Sequence, residues 1–167
     1  MNVVYLLLGS NLYDRALSLS SAKNEISNEI GAITDESSIY ESEPWGFISE
    51  DRFLNQVIRI ETRKNPVQVL NEILRIETKL GRKRDTAKGY SSRILDIDIL
   101  FFNNEIISEE NLIIPHPKIS ERMFTLLPLS EINNSLIHPG LNKSIQELME
   151  ECHDQSVVLK LSVRTIK

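Results

Sequence analysis

The chain has 167 residues, 41% hydrophobic and 26% charged, a length and balance that suit one globular domain with a core of its own. A formal net charge of −5 argues against general nucleic-acid binding, which needs a basic footprint. A single cysteine, Cys152, rules out an intrachain disulfide and fits a reducing compartment. No segment approaches the ~18 consecutive apolar residues of a membrane span, and Met1 to Leu8 lacks the basic start of a signal peptide, so a cytoplasmic protein is expected.

Val3 to Leu8 is a continuous apolar run closed by Gly9-Ser10-Asn11, the pattern of a buried strand ending in a turn. Asp14 is placed to cap a helix running to about Ile30, with Leu19, Ala22, Ile26 and Ile30 on one face and Gly31 as the stop. Ile33 to Tyr40 suits a second strand. The loop Glu41-Ser42-Glu43-Pro44-Trp45-Gly46-Phe47 follows, and Phe53 to Thr62 returns to strand. Asn65 is a natural helix cap, Pro66 fits the first helical position and Gln68 completes a capping-box pattern. Val67, Leu70, Ile73, Leu74, Glu77 and Leu80 then keep helical spacing until Gly81.

A basic stretch comes next: Lys79, Arg82, Lys83, Arg84, Lys88 and Arg93, a local reversal of sign in an acidic chain. It leads into Arg93-Ile94-Leu95-Asp96-Ile97-Asp98-Ile99-Leu100-Phe101-Phe102, β-prone and apolar except for two carboxylates two positions apart. On a strand Asp96 and Asp98 share a face, roughly 7 Å apart. Two such groups repel unless a cation joins them, and hard oxygens on a rigid strand suit Mg²⁺, which keeps some waters and takes other ligands from phosphates. Arginine forks beside them describe a polyphosphate held from both sides. The plainer alternative is a solvated loop whose arginines pair with Asp85, Asp96 and Asp98.

Beyond Phe102, Glu105 to Ile114 reads as an interrupted strand-like segment, and Pro115-His116-Pro117 as an irregular link. Helices are expected over Met123–Glu131 and Ser144–Cys152, and an edge strand over Val157–Arg164. The order β-α-β-β-α-β over residues 3–102 predicts an α+β, ferredoxin-like split β-α-β sandwich, an antiparallel sheet with helices packed on it and C-terminal helical additions. Residues 1–167 are expected to form one domain, with 155–167 a terminal extension.

Several separate stretches resemble one family in order. They are Gly9-Ser10-Asn11, Ser42-Glu43-Pro44-Trp45-Gly46, Phe53-Leu54-Asn55, Glu77 with Gly81-Arg82-Lys83-Arg84, and the Asp96/Asp98 strand. Pro115-His116-Pro117, Arg122-Met123-Phe124 and Pro128-Leu129 complete the set. Together they resemble 6-hydroxymethyl-7,8-dihydropterin pyrophosphokinases, the folate-pathway transferases that move pyrophosphate from ATP to a pterin alcohol.

That resemblance implies two Mg²⁺ ions on Asp96 and Asp98, and Arg82 and Arg93 as catalytic grips on the transferred group. It places Glu77, Arg84, His116 and Arg122 at ATP. The pterin would lie between Phe53 and Phe124, with Asn55 on its edge, Ser42, Glu43 and Trp45 beside it, and Tyr90 closing over it. Tyr90-Ser91-Ser92 and Pro117 depart from the commoner family residues. The loop 82–93 is expected to act as a lid over ATP and pterin, and neither nucleic acid nor membrane is an expected partner.

Set against these roles, Gly9-Ser10-Asn11 and His138-Pro139-Gly140 also read as plain turns, and Trp45, Phe47, Phe53 and Phe124 as ordinary core aromatics. Two other activities suit parts of the pattern. A nucleic-acid-binding module shares the split β-α-β topology, but carboxylates on the central strand would repel a phosphodiester backbone. Nucleotidyl transfer or cyclisation would keep the metal site and release pyrophosphate rather than AMP.

Overall fold

The computed structural model describes residues 1–82 and 93–162. Arg84, Tyr90 and the rest of the loop from 83 to 92 lie outside the described residues, as does the end of the chain from 163. No helix among the described residues is long and apolar enough to cross a membrane.

The elements run β1 (Asn2–Ser10), α1 (Arg15–Glu29), β2 (Ala32–Glu36), β3 (Tyr40–Ser42), β4 (Phe53–Thr62), α2 (Pro66–Lys79) and β5 (Asp96–Phe102). A hairpin of β6 (Ile107–Glu109) and β7 (Leu112–Ile114) follows, then a short 3-10 turn, α3 (Met123–Asn133), a small β8 (Ile137–His138)–β9 (Lys143–Ser144) pair, α4 (Ile145–Glu151) and β10 (Val158–Lys160). The main sheet is antiparallel in the order β10-β3-β4-β1-β5, with β2 also on β4. This is the expected split β-α-β core.

The helix starts follow their caps. The Asp14 carboxylate accepts from Leu17 N at 2.9 Å, and Asn65 and Gln68 form the reciprocal capping box. Along α2, however, the buried stripe is Val69, Ile73, Ile76 and Glu77, while Val67, expected inside, is about half exposed. The stripe is rotated by roughly one residue, which apolar spacing alone does not distinguish. The expected strand from 33 to 40 is two strands. At the break the Ser37 hydroxyl, not a backbone carbonyl, accepts from Val57 N at 3.0 Å. A side chain that competes for ladder bonds interrupts the pairing.

Alternation along the strands builds two cores. Val4, Leu6 and Leu8 of β1, with Leu54, Ile58 and Ile60 of β4, face α1 and α2. Tyr5, Leu7 and Val57 face the other way, onto Leu126 and Leu129 of α3 and Ile145 and Leu148 of α4. The C-terminal helices thus cover the second face of the sheet. Strand β5 carries an irregularity where Tyr5 pairs with Phe101 but Leu6 with Ile99. Leu100 is the extra residue, and it joins Phe101 in the second core. The bulge restores alternation so that Asp96 and Asp98, before it, lie on the α3 face.

Candidate active site

Strand register sets out the site as rows across the sheet. Tyr40, Asn55, Gly9 and Asp96 lie side by side on β3, β4, β1 and β5, and Val57, Leu7 and Asp98 form the next row. Helices α3 and α4 cover the sheet beyond these rows, leaving an open cleft. Its lining is Leu7, Gly9, Ser42, Glu43, Trp45, Phe47, Phe53, Asn55, Arg93, Asp96, Asp98, Arg122 and Phe124. A side chain at Gly9 would meet Asn55 and Phe53 only at ordinary contact distance, but would fill the floor between Asn55 and Asp96.

The aromatic walls come from three places. Phe53 opens β4 and meets Phe47 edge-on, with centroids 6.1 Å apart. Phe124 stands in the first turn of α3, and Trp45 in the loop after β3. The Arg122 guanidinium lies 4.6 Å from the Trp45 ring centre and 5.7 Å from that of Phe124, a cation–π contact to each. Trp45, Phe47, Phe53 and Phe124 are all half-buried rather than sealed in the core. The Asn55 amide donates to Ser42 Oγ at 2.8 Å, which fixes its orientation in a buried setting.

The charged end is held by several elements. Asn11 accepts from Arg93 N at 2.6 Å through its side chain and donates its own N–H to the Arg93 carbonyl at 3.0 Å. The turn after β1 thus pins the entry to β5. Arg82 Nη1 lies 2.8 Å from Asp96 Oδ1, and Arg93 pairs with Asp96 Oδ2. Glu77, buried to 2% exposure, also holds Arg82 and accepts from Ile97 N at 2.8 Å. Glu77, which the resemblance places at the nucleotide and which helical spacing also allows to pair with Arg82, anchors Arg82 and the edge of β5. Burial pushes its carboxyl up, against the pull of Arg82.

The two aspartates differ. Asp96 has a guanidinium on each oxygen. Asp98 is pushed up to about 7, first by burial and then by the charge of Asp96. His116 stands 3.8 Å from it. Lys118 N donates to His116 Nδ1 at 3.1 Å, so the ring proton of the neutral form sits on Nε2, toward Asp98. Burial and the Arg122 charge lower His116 to about 4, which keeps it neutral near pH 7.

A second groove runs past the outer side of Asp98, lined by Leu70, Ile97, Asp98, Ile99, Glu110, Asn111, Leu112, Ile113, His116 and Pro117. Sequence reasoning missed the apolar members of this groove, because Leu70 and Leu112 look like any core residue until the fold places them beside Asp98. It also missed the clamp of Asn11 on Arg93. Arg122, which the resemblance places at ATP, lines the aromatic cleft and acts on both Asp98 and His116. His138 is the plain turn it resembled: its Nδ1 accepts from Gly140 N and Leu141 N.

The donor set at Asp96 and Asp98 fits Mg²⁺. The described residues offer no group of three His, Cys, Asp or Glu for a metal, so the protein would supply two carboxylates and leave positions for water and phosphate. The under-compensated Asp98 is the group such a cation would satisfy.

Comparison with known proteins identifies the family. The profile of the 7,8-dihydro-6-hydroxymethylpterin-pyrophosphokinase (HPPK) family matches residues 5–134. The 2-amino-4-hydroxy-6-hydroxymethyldihydropteridine pyrophosphokinase of Bacillus subtilis is 42% identical over 132 residues, 78% of each chain. The Folic acid synthesis protein fol1 of Pneumocystis carinii is 38% identical over 154 residues, 92% of this chain and 20% of that longer protein. Among solved structures, HPPK-DHPS of Plasmodium falciparum with SDX-DHP superposes with a TM-score of 0.74 at 19% identity. The match covers 90% of this chain, which spans 44% of that one, and shows the shared fold. The chain belongs to the 7,8-dihydro-6-hydroxymethylpterin-pyrophosphokinase family and is a diphosphokinase of folate biosynthesis.

Proposed function

We propose that the aromatic cleft holds 6-hydroxymethyl-7,8-dihydropterin, that the adjoining groove holds the adenosine end of ATP, and that pyrophosphoryl transfer occurs at Asp98 between them. One observation carries this reading: Asp98 lines both cavities. A flat heterocycle suits the slot between Phe53 and Phe124, where stacking faces are available and the Asn55 amide meets a polar edge. Leu70, Ile99 and Leu112 give the groove an apolar wall for a purine, and its end near His116 faces the charged centre.

Bound there, Mg²⁺ on Asp96 and Asp98 would neutralise phosphate charge and acidify the attacking hydroxyl; two ions are expected. The pterin hydroxymethyl oxygen attacks the β-phosphorus in line, its proton passes to water, the bond to the α-phosphate oxygen breaks, and AMP leaves. Arg82 and Arg93 already converge on Asp96, so phosphate oxygens arriving beside it come within reach of both forks. Neutral His116 offers Nε2–H to a phosphate oxygen without adding repulsion toward Arg122. The cytoplasm, where ATP is available, is the proposed compartment.

The test is a product assay with hydroxymethyl-dihydropterin, ATP and Mg²⁺. Stoichiometric AMP and pterin diphosphate are expected; release of inorganic pyrophosphate in place of AMP would replace this reading with nucleotidyl transfer.

A further inference from the structure

The cross-sheet row that ends at Asp96 does not begin at Tyr40. Strand β10 adds to the outer edge of β3, pairing Val158 with Ser42 and Lys160 with Tyr40. Leu161 N extends the pairing to the Ile39 carbonyl at 2.9 Å. One row therefore runs Lys160, Tyr40, Asn55, Gly9, Asp96 across five strands. The family profile ends at residue 134, well before Lys160.

Three members of this edge converge on one side chain of α3. Glu131 accepts from Tyr40 Oη and Ser38 Oγ, each at 2.8 Å, and from Lys160 Nζ at 3.1 Å. Burial alone would raise this carboxyl, yet the bonds from Ser38, Tyr40 and Lys160 hold it below its ordinary value. Tyr40 is a buried residue whose hydroxyl is pushed up to about 12, by burial first and then by Glu131, so it stays a donor.

The geometry of α3 gives this cluster its consequence. The start of the helix carries Phe124, with Arg122 just before it, and Arg122 meets Trp45 of the loop that follows β3. The far end carries Glu131, which is bonded to β3 itself. The entry to the helix therefore meets the loop after β3 at the cleft, and the helix itself is bonded to β3 about two turns away. The strand between is three residues long and bears Ser42, whose hydroxyl orients Asn55. Its three residues pair with β4 on one side and β10 on the other, and the bonds of Glu131 to Tyr40 and Lys160 fix that paired edge against α3.

We propose that Glu131, bonded to Tyr40 of β3 and Lys160 of β10, is a positioning residue for the pterin cleft. It sets α3 against β3 and so sets the spacing between the Phe124 wall and the Ser42–Asn55 edge. The C-terminal strand is then part of the active-site scaffold. This rests on the placement of pterin in the aromatic cleft. The ATP groove is built from α2, β5 and the β6–β7 segment, none of which touches Glu131 through the bonds above.

That separation supplies the test. Calorimetry with the pterin alone and with a non-hydrolysable ATP analogue and Mg²⁺ is run on Glu131→Ala, Glu131→Gln and Tyr40→Phe. Glu131→Ala should weaken pterin binding about fivefold to tenfold and leave the nucleotide within about twofold, the scale of losing one or two net hydrogen bonds. Glu131→Gln keeps an acceptor for Tyr40 and should recover most of the loss. Equal weakening of both ligands, or no change in pterin affinity for Glu131→Ala, overturns the proposal. If Glu131→Ala does not fold, Tyr40→Phe decides by the same criterion. Phe53→Ala separates the two readings: if it leaves pterin binding intact, the cleft assignment itself fails. If Phe53→Ala weakens binding and the Glu131 variants do not, only the positioning role is lost.

Discussion

The two faces of the sheet use the same strands to opposite ends. On the α1–α2 face, Val4, Leu6 and Leu8 are fully buried along the whole length of β1. On the other face the same strand buries Tyr5 and Leu7 under α3 and α4 but ends in bare Gly9 beside Asp96 and Asn55. One face is closed from end to end and supplies stability. The other is closed for half its length and spends the remainder on a cleft with a half-buried, under-compensated carboxylate. Chemistry is concentrated where covering helices stop, because there the strand backbone stays rigid while its side chains remain reachable.

Substitutions on the open face should cost activity first. Asp96→Ala and Asp98→Ala are each expected to lower kcat/KM by about 10³-fold or more, ~4 kcal/mol of transition-state stabilisation, with the fold retained. Steady-state kinetics at saturating Mg²⁺ check this; activity within tenfold of the parent in both variants would remove the carboxylate pair from the centre of the reaction.

The closed face should behave in reverse. Leu6→Ala removes a fully buried side chain from the α1–α2 core and should cost about 2–5 kcal/mol of stability. Denaturant unfolding measures the loss, and kcat below the melting transition should stay within about twofold. A large fall in kcat without a fall in stability would show that the two faces are not separable.

How much of this was legible beforehand follows from what periodicity encodes. Alternation says that Asp96 and Asp98 share a face, and cap chemistry at Asp14 and Asn65 places helix starts to the residue. Neither says which face a later helix will cover, since exchanging the faces leaves the pattern unchanged. That α3 and α4 sit on the aspartate side was therefore not readable, nor was the open end of the cleft. The same holds for contacts across long separations: Asn11 and Arg93 are 82 positions apart, and nothing local in Gly9-Ser10-Asn11 distinguishes a clamp from a turn. The roles proposed for Phe53 and Phe124 rest on resemblance, because an aromatic on a strand or helix start looks the same whether it packs inward or walls a slot.

The smallest expected effect divides the open face itself. Asp96 is neutralised by Arg82 and Arg93, whereas Asp98 carries the burden of burial and of its neighbour's charge. With the folded-state Asp98 at about 7 against an ordinary 3.8, the folded protein binds more protons than the unfolded chain between those values. Stability of the metal-free protein must then fall as pH rises through that window. Asp98→Asn removes the liability, so in excess chelator it should melt higher than the parent at pH 8, by on the order of 1–2 kcal/mol or roughly 2–8 °C. The gap should close toward pH 4, where the parent's Asp98 is protonated. Asp96→Asn should do the opposite at pH 8, because it strips a charged partner from two arginines, a loss of about 1–3 kcal/mol. Melting curves of the three proteins from pH 4 to 8 are the measurement. Shifts of the same sign for both variants at pH 8 would mean that the two carboxylates share their charge evenly, and that the inequality between them does not govern the empty site.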